Sequence, residues 1–226
     1  MTRSALDELN LQWKPVAIGF MATAPADLPR VNSALPAGCA YWKHASEGRG
    51  FYTTPEDHYN CPIGAFTHGV VLPDTQTREL EGLIGTMITL EYLKGDEVAL
   101  MPRRREPLQI AAYAPLAEAT FAPDVVVIRG NPRQLMLVSE AARAAGAFDG
   151  ADIMGRPACA MIPHAIDTQS AVASFGCIGN RVYTGLADDE LYVAVPGKTL
   201  ADTLERLDAI LSANAQLETF HQQRNR

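Results

Sequence analysis

The sequence predicts a mixed α/β (α+β) fold: a single compact unit over residues 1–226, built from two pseudo-repeated halves at about 13–115 and 120–220. Three observations predict it. Short apolar runs rich in β-branched residues alternate, irregularly, with stretches of helical period. Cysteine-containing blocks recur in the same order in both halves. The composition is globular, 47% hydrophobic and 20% charged over 226 residues, and a chain this long buries roughly 70% of its unfolded surface without needing a staple.

The elements follow in order. Residues 4–12 have the pattern of a short amphipathic helix. Pro15 to Phe20 is an apolar run suited to a buried strand. Residues 22–38 hold Pro25, Pro29 and Pro36 and read as a loop. A helix is expected to begin near Cys39, and residues 51–62 carry a turn or helix start at Thr53-Thr54-Pro55-Glu56-Asp57. Over 76–93, Leu80, Leu83, Ile84, Met87 and Leu90 share one helical face, with Gly95 ending the helix. Glu97 to Met101 and Leu108 to Tyr113 are expected strands. Asp124 to Arg129 is the clearest strand, a β-branched run between Pro123 and Gly130. Asn131 then caps a helix with Pro132 at its first position and Leu135, Val138, Ala141 and Ala142 facing inward. Leu191 to Val195 is a further strand. The last helix is expected from about Thr199, with Leu200, Leu204, Leu207, Ile210 and Leu211 inward and a fraying tail from His221.

The repeat rests on scarce residue types. Cys39 to Ala45 aligns with Cys159 to Ala165, and a histidine stands five residues after each cysteine, His44 and His164. Cys61-Pro62-Ile63-Gly64 aligns with Cys177-Ile178-Gly179, one residue shorter, and Gly69 and Gly185 each follow eight residues after their cysteine. An acidic turn into a strand closes each half, Gly95 to Leu100 and Asp188 to Val193. Such a pattern predicts a duplicated half-domain packed about a pseudo-twofold axis.

Charge and cysteine usage bound the function. Lys plus Arg number 19 against 26 Asp plus Glu, a net charge of -7, which excludes the basic face of a nucleic-acid binder. The basic run Arg103-Arg104-Arg105 reads as a solvated loop. Met1 to Leu11 lacks the apolar core of an export signal, and no run approaches a membrane span. A cytoplasmic setting with reduced thiols is expected, with no membrane and no nucleic acid as partner and a small-molecule ligand or further copies of the chain as candidates.

The four cysteines, Cys39, Cys61, Cys159 and Cys177, are therefore candidate cofactor or metal ligands, reactive thiols or core residues. None belongs to a Cys-x-x-Cys pair, which disfavours structural zinc; an iron–sulfur cluster tolerates dispersed thiolates better. Pro62 at a helix first turn would set the Cys61 sulfur by the positive helix end, and Gly64 would allow close backbone approach. Gly176 and Gly179 flank Cys177 in a similar way. Around them, His58 is a candidate acid, base or ligand set against a solvated loop histidine. Arg181 is a candidate anion-binding group set against a surface salt bridge. His68 falls on the helical face of Cys61. Tyr41, Trp42, Tyr52 and Tyr183 are candidate pocket walls, and Gly48 and Gly50 mark a surface turn. The sequence has no serine-hydrolase elbow, zinc-protease motif or dinucleotide fingerprint.

At these blocks the chain resembles the prokaryotic family filed as domain of unknown function 169. The residues that carry the likeness are Cys39-Ala-Tyr-Trp42, Gly50 to Thr53, Asp57 to Ala65, His68-Gly69, Pro132-Arg133-Gln134, Met154 to Cys159, and Ser174 to Arg181 continuing to Tyr192. The resemblance spans about residues 12–215 and implies a single-domain unit, a prokaryotic cytosolic setting and a common role for the four cysteines. The family supplies no activity. The expected function is a metal- or iron–sulfur-dependent protein, in its open-site version a redox enzyme using Arg181 or His58 on a small anionic molecule. Two alternatives stand beside it: a small-molecule binding or sensor protein without catalysis, and a thiol-redox enzyme using Cys61 and Cys177.

Overall fold

The structure is a computed structural model that describes residues 5–148 and 157–224. Its centre is one six-stranded sheet of order β2-β3-β1-β4-β6-β5, antiparallel at every junction. The strands are β1 (Val16–Met21), β2 (Phe51–Thr53), β3 (Ile110–Pro115), β4 (Val125–Gly130), β5 (Val172–Ser174) and β6 (Leu191–Pro196). The first three strands in sequence make one half of the sheet and the last three the other. The halves join where β1 pairs with β4, Val16 opposite Val127, Ala17 opposite Val126 and Ile18 opposite Val125.

Both faces are covered, so the central strands are continuously apolar. On one face Val16, Ile18, Phe51, Tyr113, Val125, Val127, Val172 and Tyr192 pack beneath short helices. These are α2 (Ala40–Ser46), α3 (Pro62–Thr67), α7 (Met161–Thr168) and α8 (Ile178–Thr184). On the other, Val126, Ile128, Ala173, Val193 and Val195 pack under α1 (Ala5–Glu8), α6 (Pro132–Ala144) and α9 (Gly197–Arg224). The period-two alternation of strand side chains makes this division. Behind β1 and β3 lie Ala17, Gly19, Ala112 and Ala114. The small residues let the connecting loop press close, and a Cβ on Gly19 would stand 2.8 Å from Phe121.

Most elements form where their residues predict. Asn131 caps α6 through its side chain, Gln134 completes the capping box, and Leu135, Val138, Ala141 and Ala142 are its buried residues. Of the helix expected over 4–12, Ala5–Glu8 is helical, while residues 9–12 turn away, with Asn10 at φ 51°. Leu207 and Thr203 are the buried residues of α9, with Leu200, Leu204, Ile210 and Leu211 partly buried behind them.

Three expectations are corrected. Residues 97–101 are not a strand: Gly95–Leu100 is helix α5, capped by the Lys94 N–H donating to the Glu97 carboxylate at 2.7 Å, and none of its residues is buried. An acidic first turn suits a helix start and gave no sheet edge to pair with. The helix over 76–93 is α4 (Asp74–Thr89), which ends at Leu90 and Glu91, the latter at φ 56°, while Gly95 begins the next helix. Its apolar face is not core, since among its residues only Leu80 is buried and Leu83 is 41% exposed. The excursion α4–α5 stands outside the sheet. Strands β2 and β5, three residues each, were too short for a period to reveal.

The element order is the same in both halves of the sheet: strand, cysteine-headed helix, short edge strand, cysteine-headed helix, strand. The first half inserts α4–α5 before its last strand; the second inserts α6 after its first. Ala45 and Ala165 are both fully buried, and Gly69 and Gly185 both adopt left-handed backbone, φ 73° and 64°. No described helix is long and apolar enough to cross a membrane.

Candidate functional site

All four cysteines line one cavity of about 390 Å³. Each is delivered by the start of a short helix on the same face of the sheet. Cys39 is the N-cap of α2, Cys61 of α3 and Cys177 of α8, while Cys159 lies in the 3₁₀ turn Ala158–Ala160 that leads into α7. Pro62 takes the first helical position after Cys61, as its fixed φ favours. Cys39 and Cys159 are buried, each 8% exposed; Cys61 and Cys177 are half-buried.

The thiols feel one another. Burial pushes the Cys39 thiol up to about 12; the Asn180 amide beside it pulls the other way, and charge on Cys61 or Cys177 pushes it further up. The Cys159 thiol is also held well above its ordinary value, first by burial and then by Cys61, with Thr67 opposing. Without a compensating cation, Cys39 and Cys159 are neutral thiols at neutral pH. Among the described residues no three His, Cys, Asp or Glu side chains gather as ligands of a metal ion. The four sulfurs border a cavity instead of meeting at a point.

The walls combine apolar and polar groups. Leu83, Met87, Leu93 and Met101 come from the α4–α5 excursion, and Ile178 and Tyr183 from α8. Asn180, one turn after Cys177, is 1% exposed, and neither its Nδ2 nor its Oδ1 has a hydrogen-bond partner. Sequence reasoning passed over Asn180 in favour of its neighbour Arg181. The signal was the spacing, since residues three apart share a helix face.

The other candidates lie elsewhere. Arg181 does not line the cavity; its guanidinium donates to the carbonyls of Phe175 (2.8 Å) and Ala187 (3.0 Å), tying together the two ends of α8. His58 is not a solvated loop residue. It is 1% exposed, its Nε2 lies 2.8 Å from Thr53 Oγ1, and burial pushes its pKa down to about 4. It too is absent from the cavity wall. His68 is fully buried 6.0 Å from the His58 ring, with both nitrogens unpartnered. Burial, then His58 and Arg104, push its pKa down to about 3. Tyr183 is the one expected pocket aromatic that reaches the cysteine cavity; Tyr41 and Trp42 are core, the Tyr41 hydroxyl donating to the Asp57 carbonyl. In the basic run, Arg104 is only 15% exposed and packs over the Phe20 ring at 4.2 Å. Met154 to Arg156 of the family-like blocks lies outside the described residues.

A sheet covered on both faces, with four helix-borne cysteines round one cavity, defines a class of protein by fold and donor set, not by reaction. The family DUF169, described as Uncharacterised ArCR, COG2043, matches residues 6–206, and the chain belongs to it. It is similar to an uncharacterised protein of Methanocaldococcus jannaschii, MJ0308, with 32% identity over 213 residues, covering 90% of this chain and 91% of the relative. No solved structure matches the chain.

Proposed function

We propose that this protein holds an iron–sulfur cluster, with Cys39, Cys61, Cys159 and Cys177 as its ligands. The single observation that carries the reading is that all four cysteines, drawn from four separate helix starts, line the same cavity. Two further features fit. The donor set is all thiol, the soft ligand type that iron–sulfur centres take. The sulfurs also border a space instead of converging. None of the four belongs to a close Cys-x-x-Cys pair, which disfavours a structural zinc, whereas a cluster takes dispersed thiolates. Bound there, a cluster would supply one-electron transfer or, with one ligand open, a Lewis-acidic iron. The chain's own part is to hold the thiols, to exclude water through α4–α5 and to release the Cys39 and Cys159 protons as the metal arrives.

The geometry gives no support to Arg181 or His58 as groups that orient a substrate, so the reading stops at a cofactor-bearing protein. The matching order of elements supports descent from a duplicated half-domain, each copy supplying two ligands. Purification without oxygen, followed by iron and acid-labile sulfide analysis, tests the cluster. Iron and sulfide in near-stoichiometric amount are expected, falling steeply in Cys61→Ser and in Cys159→Ser. A colourless, metal-free protein that takes up no iron and sulfide on reconstitution overturns the proposal.

A second reading is favoured by the cavity volume, about 390 Å³, within the ~300–1,000 Å³ usual for ligand pockets. It makes the protein a small-molecule binder or sensor. Cys61→Ser and Cys177→Ser would then leave ligand affinity unchanged. The half-buried Cys61 and Cys177 are also the pair that a thiol-redox role would use; a disulfide between them on mild oxidation would favour it.

A further inference from the structure

Asn180 shares the cavity wall with Cys39 of the first half and Cys177 of the second. Its backbone N–H donates to Cys177 Sγ at 3.5 Å. Its carboxamide lies beside Cys39, close enough to influence that thiol and the neighbouring Tyr192. Yet the amide completes no hydrogen bond: the Tyr192 hydroxyl spends its proton on Thr184 at 3.1 Å and so donates nothing to Oδ1, and a neutral thiol is a weak acceptor for Nδ2. A carboxamide that is 1% exposed with both ends unmatched is rare in folded proteins and calls for a partner. Its position is built. Gly176, at φ 75°, leaves room for the side chain, since a Cβ there would stand 2.8 Å from Asn180 Oδ1. The helix that carries it is held by Arg181 at both ends and by Arg129, which donates to the Thr184 and Gly185 carbonyls.

A ligated sulfur changes the balance. Thiolate is a strong acceptor where thiol is weak, and hydrogen bonds to ligand sulfurs raise the reduction potential of the centre they serve. We propose that Asn180 is the hydrogen-bond donor to the cysteine centre: its Nδ2–H engages Cys39 Sγ in the ligated state while its backbone N–H holds Cys177 Sγ. One residue thereby ties a ligand of the first half to a ligand of the second. It is a positioning residue that acts through the sulfurs, and the inference rests on the four-cysteine reading above.

The experiment compares wild type with Asn180→Leu, which keeps the size and removes the donor, and with Asn180→Gln, which keeps the amide. Cadmium is the first probe, followed by its thiolate charge-transfer absorption. The midpoint potential of protein reconstituted with iron and sulfide is the second. Asn180→Leu should retain the wild-type circular dichroism, bind cadmium about tenfold or more weakly, and show a lower midpoint potential; Asn180→Gln should lie between the two. In wild-type protein the Asn180 Nδ2 protons, followed by nitrogen-15 NMR, should move downfield and exchange more slowly on cadmium loading, a readout that needs no variant to fold. Equal cadmium affinity and equal potential in Asn180→Leu, or unmoved Asn180 side-chain protons in loaded wild type, overturn the assignment. If wild type takes up iron and sulfide but no cadmium, the potential decides alone. Wild type that binds neither overturns the four-cysteine reading itself, and this inference with it.

Discussion

The Cys61 sulfur lies folded against Gly64: a Cβ added to Gly64 would stand 2.9 Å from Sγ, while its other close neighbours, the Cys61 Cβ and the Gly38 Cα, are each 3.6 Å away. Gly64 is helical, so its need for glycine is spatial and not conformational. Gly64→Ala should leave the fold intact, because helix propensity favours alanine by about 1 kcal/mol and the clash falls on a side-chain end that can swing away. The swing takes the sulfur out of place. Stability within about 1 kcal/mol of wild type, together with a marked loss of bound iron and sulfide, is the expected pair of results. Full metal content in the variant would show that the Cys61 position is not used.

His58 and His68 make the fold acid-sensitive. Both are buried and neutral, with pKa values pushed down to about 4 and about 3 by burial. His68 faces His58 and Arg104; His58 faces Asp57, Tyr41 and Thr53. In the unfolded chain each titrates near ~6.5. The unfolded state therefore binds more protons below that pH. The stability these groups allow is fully present above ~6.5 and is lost as pH falls toward the folded values, each histidine adding a slope approaching ~1.4 kcal/mol per pH unit. Urea midpoints should drop steeply from pH 6.5 to 5. Since neither nitrogen of His68 has a partner, His68→Leu should be near neutral at pH 7.5, raise the midpoint at pH 5 and roughly halve the slope. An unchanged slope would mean that His68 is not the buried neutral group described.

These sites show where sequence reading succeeds. Strand β4 and helix α6 were legible because one local pattern sets each. A β-branched run between Pro123 and Gly130, and an Asn-Pro start with four inward residues, need no knowledge of the rest of the chain. The recurring cysteine spacing pointed to the four residues that line one cavity. What stayed hidden depended on distant partners. Gly95–Leu100 resembles the acidic turn before β6, but it has no sheet edge beside it and its cap makes a helix. The burial of His58 comes from strand β2 and helix α2, which no local pattern announces. Arg181 reads as a free anion-binding group until the carbonyls of Phe175 and Ala187 are seen to occupy it.

Arg129 and Glu190 form an ion pair with side chains 8% and 11% exposed, reinforced by the Arg129 Nε–H donating to Glu190 at 2.9 Å. The Arg129 guanidinium also lies 4.1 Å from the Trp13 ring centroid and bonds the carbonyls that end α8. Arg129→Met leaves a half-buried carboxylate without its charge partner, held by the Ala187 N–H at 3.0 Å, and a loss approaching the ~3–5 kcal/mol of a broken buried pair is expected. Pairing it with Glu190→Leu should recover most of that loss, because the penalty lies in the stranded charge. Hydrogen exchange over residues 177–184 should quicken in both variants, since both lose the cap on α8. A single variant that costs less than about 1 kcal/mol would contradict the buried pairing.

The α4–α5 excursion covers the cysteine cavity without carrying the fold. Its neck is already closed by backbone bonds, the Arg104 N–H to the Thr67 carbonyl and the Leu108 N–H to the Gly69 carbonyl, both 2.9 Å. Within residues 74–100, Leu80 and Leu93 are the buried apolar side chains. Replacing residues 74–100 by a short polar link should therefore cost no more than a few kcal/mol, the burial of two leucines at ~1.5–3 kcal/mol each. The removed segment supplies Leu83, Met87 and Leu93 to the cavity wall, so water should reach Cys39 and Cys159 and relieve the burial that keeps them protonated. Alkylation of these two thiols by iodoacetamide, followed by peptide mass spectrometry, should quicken by about tenfold for each pKa unit relieved. Unchanged rates in a folded deletion variant would mean that the sheet-side helices alone close the cavity, and that α4–α5 has no part in shielding it.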